Sequence, residues 1–414
     1  MDKPRLRPIE AFPTESERGP MVVIRDPTGL ASEMLVMSPE AFLILSLLDG
    51  TRTLPEIRVE AARRAGCLVP PGAIEEMLST LDERRFLQSE SFAGWRHQLL
   101  AEYLARVVRA MALAGEAYPA DRAACAPFLD EILGCAPAVD LDGTLRGLIA
   151  PHIDLRRGAR GFAAAYRAFG ESAHVEGGAW DVVIVLGTAH FAEKGRFILG
   201  RHSFETPLAP INCDRPLVEA IERRYPGDLH GDPLAHRREH SIEFQALFLA
   251  HTAGPRVPSI VPILATSFDD LMERGEVPWQ VPEIEDLVET LREVVHRDGR
   301  RVLFLAGADL SHVGLRFGDA TPAEGALADA AERVDRAALE AIERVDPAAF
   351  YTAVAEARNA TRICSVASLY VVLAACGGRR ARTLHYEQAL EDDGSSMVSF
   401  ASAALLGDGS DGQR

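Results

Sequence analysis

The sequence has no long hydrophobic run. None of its apolar stretches reaches the roughly 18 continuous residues that a membrane-spanning helix needs. The opening segment, MDKPRLRPIEAFPTESERGP, has no apolar core of the kind found in secretory signal peptides. The sequence therefore predicts a cytoplasmic protein that does not interact with membranes.

Paired cysteines are also lacking. The six cysteines are scattered along the chain without a CxxC pair, so neither a structural zinc knuckle nor a disulfide framework is indicated. In a reducing compartment most free thiols pack as small apolar residues. A cysteine in this chain therefore gains a functional interpretation only where a second signal accompanies it.

The chain has fewer basic than acidic residues. The chain has 44 Lys and Arg residues against 61 Asp and Glu residues, which gives a formal net charge of −17. A surface this acidic repels phosphate backbones, so we expect no nucleic-acid partner. Hydrophobic residues make up 47% of the 414 residues, which is ordinary for a globular protein of two or three domains.

Residues 1–92 have the pattern of a small winged-helix domain. The run MVVIRDPTG (21–29) alternates apolar residues and closes in a turn, which predicts a β-hairpin. Ser38-Pro39 marks the start of a helix, with the hydroxyl as cap and proline in the first turn. Apolar stripes that begin at Leu54 and Ile74 predict a second and a third helix.

The rest of the chain is predicted to form a connector and an α/β domain. Residues 93–142 are expected to be a helical connector without chemistry, and residues 408–414 a disordered tail. In residues 143–407, short apolar strands alternate with helices, which predicts a mostly parallel sheet covered by helices on both faces. The predicted strands are 147–151, 181–187, 259–265, 302–306 and 397–406.

Three of these strands lead into a histidine. His152, His190 and His312 each follow an apolar strand, and ligands of open α/β sheets bind beyond the carboxyl ends of the strands. Asp154 and Asp309 accompany two of them. Imidazole is the commonest metal ligand, and a neighbouring carboxylate can fix its tautomer. The three histidines therefore predict a metal or catalytic centre at this edge of the sheet.

A fourth signal is the segment HRREHSIE, residues 236–243. As one helix it would place His236 beside His240, and His240 beside Glu243. It is not an HExxH motif, because Glu239 directly precedes the second histidine and is expected to face elsewhere, so a zincin is excluded. The alternative is a polar helix start in which Glu243 serves the first turn.

A fifth signal is Cys364, which stands just before an apolar helix predicted over 366–373. A thiol at the start of a helix is a better nucleophile or metal ligand than one in a helix interior. Alone, Cys364 would be interpreted as a small buried residue. The histidines shift the interpretation towards a functional thiol.

Together these segments resemble the Memo family, and most closely its bacterial and archaeal branch, AmmeMemoRadiSam system protein B. They appear in order over residues 143–407, and their combination makes the match specific. The matching motifs are IAPH (149–152), LGTAH (186–190), TPL (206–208), HRREHSIE (236–243), VPIL (261–264), DLSH (309–312) and RIC (362–364).

The Memo family in turn resembles the class III extradiol dioxygenases, non-haem iron enzymes that open catechol rings and hold iron(II) with two histidines and a glutamate. The resemblance implies that His152, His190 and Cys364 hold a divalent transition metal here, with cysteine in place of the glutamate. Iron(II) is the expected metal, and copper and zinc suit the same ligands.

The resemblance also implies residues that act beside the metal. His312 matches the acid–base histidine, with Asp309 next to it, and His240 would line the same pocket. Two positions depart from the family, which often has asparagine and glycine where this chain has Ala189 and Ser365. The change at Ala189 removes a polar group near the metal and leaves the ligand set intact.

Residues 20–90 resemble the PqqD family, winged-helix modules that hold precursor peptides for radical-SAM enzymes. The resemblance rests on the helix spacing and on LDGTRTL (48–54). It implies a radical-SAM enzyme as partner and a peptide as substrate, with the peptide added to the β wing as an extended strand. A small dimerisation or packing domain is the alternative for this region.

Three functions fit these residues. The leading hypothesis is a metal-dependent oxidoreductase of the dioxygenase type, and the second is a non-catalytic protein that binds a metal or a peptide. The third is a zinc-dependent hydrolase with Asp309 or Glu243 as base. A coordination position that faces solvent would favour catalysis over simple binding.

Overall fold

The structure is a computed structural model that divides into two compact units, Met1–Ala105 and Arg106–Arg414. It describes residues 2–407 except 18, 32, 67, 68, 71, 175–179 and 255. The boundary between the units falls inside the segment 93–142, which was expected to be a connector. The expected tail at 408–414 lies outside the described residues.

The first unit combines a small antiparallel sheet with helices. Its strands pair in the order β1-β2-β3, and Ser38 and Ser89 accept a backbone N–H at the start of the first and last helix. An isolated bridge pairs Leu87 with Leu6. The elements are β1 (Glu10–Ser16), β2 (Gly19–Arg25), β3 (Leu35–Met37), α1 (Pro39–Leu45), α2 (Leu54–Ala65), α3 (Ala73–Glu83) and α4 (Glu90–Leu104).

The second unit is built on an eight-stranded sheet. Its strands, with a short separate pair formed by β4 and β8, are β4 (Val108–Arg109), β5 (Thr144–Ala150), β6 (Val182–Thr188), β7 (Phe197–Leu199), β8 (Ser203–Phe204), β9 (Ser259–Ala265), β10 (Val302–Gly307), β11 (Asp309–Gly314), β12 (Arg380–Leu390) and β13 (Ser396–Gly407). The strand order is β11-β13-β5-β10-β6-β9-β7, with β12 paired to β13. The central strands β5, β10, β6 and β9 are parallel, as predicted. Strands β13, β11, β12 and β7 are antiparallel to their neighbours.

Helices cover both faces of this sheet. They are α5 (Arg122–Leu133), α6 (Ala159–His174), α7 (Arg215–Arg224), α8 (His240–Thr252), α9 (Asp269–Arg274), α10 (Pro282–Asp298), α11 (Ala326–Glu343), α12 (Pro347–Glu356) and α13 (Val366–Ala375). Short 3-10 turns span Pro233–Arg237, Pro278–Gln280 and Leu315–Phe317. One face carries α5, α6 and α8, and the other carries α7, α10 and α13. No helix in the described residues is long and apolar enough to cross a membrane.

The two cores explain why the central strands are continuous apolar runs. Successive side chains of a strand point to opposite faces. Val183 and Val185 therefore pack into the core under α6 and α8, whereas Ile184 and Leu186 pack into the core under α13. With both faces buried, β6 carries no polar side chain before its last residue, Thr188. Polar residues can appear only where the strands end, and this concentrates the chemistry at one edge.

Candidate metal centre

Three side chains converge at the carboxyl edge of the parallel strands. His152 follows β5, His190 follows β6, and Cys364 precedes α13. Their ligand atoms all lie within 4.8 Å of one another, and His152 Nε2 is 3.5 Å from Cys364 Sγ. The structure thus brings together the three residues that the resemblance implied as ligands.

The hydrogen bonds of His152 fix its tautomer. Its Nδ1 lies 2.9 Å from the carbonyl oxygen of Gly307. A carbonyl oxygen only accepts, so Nδ1 carries a proton, and Nε2, which faces Cys364, is the nitrogen left to bind a metal. Asp309 holds the same residue from the other side, because its carboxylate accepts the backbone N–H of His152 at 2.9 Å. His152 is buried, so this orientation is firmly set.

His190 is oriented by Glu239, a residue that the sequence interpretation placed outside the site. The Glu239 carboxylate accepts both the backbone N–H and the Nδ1–H of His190, each at 2.9 Å. The Nε2 atom of His190 is thereby left as a lone-pair donor. The side chain of Glu239 is 1% exposed, whereas that of His190 is 30% exposed. The centre therefore opens to solvent on the side of His190.

His240 lines the same pocket. Its ring stacks on that of His190 with 4.7 Å between centroids and lies edge-on to that of His152 at 5.3 Å. Its Nδ1 is 3.2 Å from Glu239 Oε1, so the carboxylate orients this imidazole as well. The Nε2 atom of His240 is an acceptor that does not belong to the three-ligand group.

Two glycines allow α8 to approach the strand ends this closely. A Cβ atom on Gly307 would lie 2.3 Å from the backbone oxygen of Ser241, and one on Gly187 would lie 2.5 Å from the Ser241 hydroxyl. Neither distance is sterically allowed, so a side chain at either position would push the start of α8 outwards. Glu239 and His240 reach the histidines because these two positions lack side chains.

His312 lies on β11 beside the centre. Its Nδ1 is 2.9 Å from Leu310 O and 3.2 Å from Arg362 O, so Nδ1 carries the proton and Nε2 is an acceptor. Burial lowers the pKa of His312 to about 4, and the ring is neutral near pH 7. The Asp309 carboxylate accepts the backbone N–H of His152, and its charge opposes the lowering of the pKa of His312 by burial.

Negative charge surrounds the two candidate histidine ligands. Burial by itself would lower the pKa of His152, but Asp309 and then Cys364 outweigh it and raise this pKa to about 9. Burial likewise opposes the rise in the pKa of His190, which Glu239 causes. Burial would raise the pKa of Glu239, but His190 and then His240 hold it well below its usual range. A site of this kind favours a bound cation.

Residues 236–243 do not form one helix, and two expectations about this segment are therefore wrong. The 3-10 turn Pro233–Arg237 precedes α8, which begins only at His240. His236 is buried away from the centre, where its Nε2–H donates to the carbonyl of Ile198 at 2.9 Å. The prediction of a shared helix face for His236 and His240 is therefore wrong. The expectation that Glu239 faces elsewhere is also wrong.

The Glu243 side chain also lies outside the pocket. Its carboxylate accepts from Arg109 at 2.6 Å, from the Tyr118 hydroxyl at 2.7 Å and from the backbone N–H groups of Ala112 and Leu113. Both of its oxygens are engaged in the core. The prediction that Glu243 could act as a hydrolytic base is wrong for this reason.

Arg109 belongs to the segment that was expected to lack chemistry. Its guanidinium donates to the carbonyls of His236 and Glu239, at 2.5 and 2.8 Å, and to Glu243. Arg109 is 2% exposed and lies over the ring of Phe204. It therefore fixes the backbone from which Glu239 reaches His190. No local sequence signal reveals this, since its partners lie about 130 residues away.

A turn of unusual backbone delivers Cys364. Arg358, Asn359 and Arg362 have φ angles of 51°, 47° and 57°, in the left-handed region that side chains disfavour. The Arg362 guanidinium binds both oxygens of Asp319, at 3.0 and 2.7 Å, and donates to His312 O. Side-chain hydrogen bonds thus hold a strained turn, as is common at functional sites.

The fold and the ligand set define a class of protein, an α/β domain with two histidines and a cysteine at the carboxyl edge of its sheet. The family described as Memo-like protein matches residues 109–404. The chain belongs to the Memo family.

Individual relatives agree with this assignment. A MEMO1 family protein of Thermus thermophilus is 31% identical over 356 residues, which cover 86% of this chain and 99% of that protein. A MEMO1 family protein of Aquifex aeolicus is 29% identical over 317 residues, 77% of each chain. A memo-1 homolog of Caenorhabditis elegans is 28% identical over 283 residues, 64% of this chain and 73% of the relative.

Proposed function

We propose that this protein is a metal-dependent oxidoreductase whose mononuclear centre is held by His152, His190 and Cys364. One observation carries the proposal. Both imidazoles use Nδ1–H for hydrogen bonds within the protein, so both Nε2 lone pairs remain for a metal beside the thiol. Histidines with such outer partners are typical of metal sites.

The donor set fits a redox metal. Two imidazoles and a thiolate suit iron(II) and copper, and they also accept zinc. We favour iron(II). A metal held by these three residues would supply a redox couple and open coordination positions for dioxygen or substrate. The partial exposure of His190 and His240, 30% and 28% for their side chains, supports an open position that faces solvent.

The neighbouring histidines are suited to hold and move a proton. His312 is neutral near pH 7, with Nδ1–H bonded to two carbonyls and Nε2 ready to accept. A substrate hydroxyl in the pocket would donate to this nitrogen, which acts as the general base. His240 offers a second acceptor at Nε2, and Glu239 keeps its ring in position. Asp309 orients His152 by accepting its backbone N–H.

We further propose that the first unit presents a peptide substrate and that a radical-SAM enzyme is the partner. Among the described residues β3 pairs only with β2, so its outer edge can accept an extended chain. Met34 and Val36 are 66% and 60% exposed there, which suits apolar peptide side chains. This function belongs in the cytoplasm, where a reducing environment keeps the Cys364 thiol free.

The metal content of protein purified without oxygen tests the ligand set. We expect close to one iron or copper per chain in the wild type, and loss of metal with a retained fold in His190→Ala and Cys364→Ser. His230→Ala is the matched control, because His230 also pairs with a carboxylate, that of Glu222, but away from the centre. Equal metal in all four proteins would overturn the assignment.

Turnover requires a second measurement. Oxygen uptake by the iron-loaded protein in the presence of catechols and peptides should fall to background in His312→Gln, while metal content stays at the wild-type level. Bound metal without uptake on any substrate would favour the alternative of a non-catalytic metal- or peptide-binding protein.

A further inference from the structure

We propose that the hydroxyl of Ser365 donates a hydrogen bond to the Cys364 thiolate and so sets how strongly the sulfur donates to a bound metal. This inference rests on the proposed ligand set. Ser365 Oγ lies 3.3 Å from Cys364 Sγ, within reach of a hydrogen bond to sulfur. Ser365 is 1% exposed, so bulk water does not compete for its proton.

The direction of this hydrogen bond follows from the neighbours of Ser365. A serine hydroxyl has one proton to donate and two lone pairs that accept. The backbone N–H of Asp309 donates to Ser365 Oγ at 3.1 Å. Thr188 Oγ1 lies 3.0 Å away, and Ser365 is the only hydrogen-bond partner of this hydroxyl among the described residues.

Thr188 is 6% exposed, and a buried hydroxyl proton needs an acceptor. Thr188 therefore donates to Ser365. Asp309 and Thr188 then occupy both acceptor positions of Ser365 Oγ, and its own proton has the Cys364 sulfur as its remaining partner. A thiolate has no proton of its own and can only accept. The arrangement is a directed chain from Thr188 through Ser365 to Cys364.

This chain joins the three segments that form the centre. Thr188 ends β6 just before His190, Asp309 begins β11, and Ser365 precedes α13. Hydrogen bonds to a ligating sulfur stabilise its lone pairs, which weakens donation to the metal and raises the reduction potential. Electron transfer from sulfur to the metal upon light absorption then requires more energy. Ser365 is a positioning and tuning residue for the ligand, not a catalytic residue.

Cobalt(II) titration of the full-length chain without oxygen tests the inference, because a thiolate bound to cobalt(II) gives an absorption band of sulfur-to-metal charge transfer. In Ser365→Ala we expect this band at lower energy than in the wild type, because the sulfur lone pairs are no longer stabilised by the hydroxyl. In Thr188→Val, which removes the donor to Ser365, we expect a smaller shift in the same direction. If Ser365→Ala does not fold, the shift in Thr188→Val still tests the inference.

Ser368→Ala is the matched control. Ser368 is equally buried and donates to the backbone oxygen of Ser365 at 3.1 Å, but the thiol is not among its hydrogen-bond partners in the described residues. The charge-transfer band of cobalt-loaded Ser368→Ala should stay at the wild-type energy. An unshifted band in Ser365→Ala, or an equal shift in Ser368→Ala, would overturn this inference and leave the ligand set standing. Absence of the band in the wild type would overturn both.

Discussion

Glu239 forms two hydrogen bonds with His190, accepting its backbone N–H and its ring Nδ1–H at 2.9 Å each. The same carboxylate also accepts from His240 and from the backbone of Ser241. One buried side chain therefore controls both the tautomer of a proposed ligand and the orientation of its neighbour.

Replacing Glu239 with glutamine should weaken metal binding by about 10- to 100-fold. The amide nitrogen of glutamine cannot accept, so at least one of the two bonds to His190 is lost. Glu387→Gln is the control, since Glu387 pairs with His385 away from the centre. Cobalt(II) titration of both variants measures the effect, and equal affinity in Glu239→Gln and the wild type would contradict the role given to Glu239.

Arg109 should be among the most costly side chains to remove. Its ion pair with Glu243 is buried, with 2% exposure for each side chain, and Arg109→Met would leave a carboxylate without its counter-ion. We expect the free energy of unfolding to fall by about 3–5 kcal/mol. Arg201→Met should cost at most about 1 kcal/mol, because its pair with Glu222 is on the surface.

Urea denaturation at pH 7 provides both values. In the double variant Arg109→Met, Glu243→Gln we expect less destabilisation than the sum of the single changes, since the buried charge is gone. Similar, small effects for Arg109→Met and Arg201→Met would show that Arg109 does not hold the start of α8.

The backbone strain at Arg362 can be separated from the loss of its side chain. Arg362→Ala and Arg362→Gly both remove the ion pair with Asp319, but only glycine adopts a φ of 57° without a steric cost. The glycine variant should therefore unfold with a free energy about 1 kcal/mol higher than the alanine variant. An alanine variant as stable as the glycine variant would show that the turn is unstrained.

His236 should make stability depend on pH. Burial, reinforced by the charge of Arg109, lowers the pKa of His236 to about 4, against 6.5 in the unfolded chain. Between these values the unfolded state binds more protons than the folded state. The free energy of unfolding therefore falls as the pH drops from about 6.5 towards 4.

His236→Gln keeps a donor for the carbonyl of Ile198 but does not titrate. Metal-free wild type should lose about 3 kcal/mol more than this variant between pH 7 and pH 4. Urea denaturation in the presence of a chelator checks the prediction. Parallel pH profiles for the two proteins would contradict it.

The strands and ligands that could be predicted are those with a strong local pattern. The central strands are buried on both faces and so appear as unbroken apolar runs, each followed by a polar residue at the carboxyl edge. Strands β11 and β12 were not predicted, because DLSHVG and RARTLHYEQAL mix polar and apolar residues. They pair with β13 through backbone hydrogen bonds. Such pairing leaves no regular alternation of polar and apolar side chains by which a strand could be predicted.

The missing parts of the site have a similar explanation. Glu239 was misplaced because residues 236–243 were considered as one helix, whereas Pro233 opens a 3-10 turn and α8 begins at His240. Arg109 depends entirely on partners that are distant in sequence. Long-range contacts of this kind leave no spacing in the chain that pattern analysis can detect.

The order of the segments along the chain determines when the centre can form during synthesis. The last strand, β13, lies between β5 and β11, so β11, which carries His312, gains its neighbour in the sheet only after the chain is translated almost to residue 407. His152 and Cys364 are 212 positions apart. A nascent chain therefore contains the two histidines long before Cys364 is synthesised, and we expect the proposed centre to take up its metal only in the finished protein.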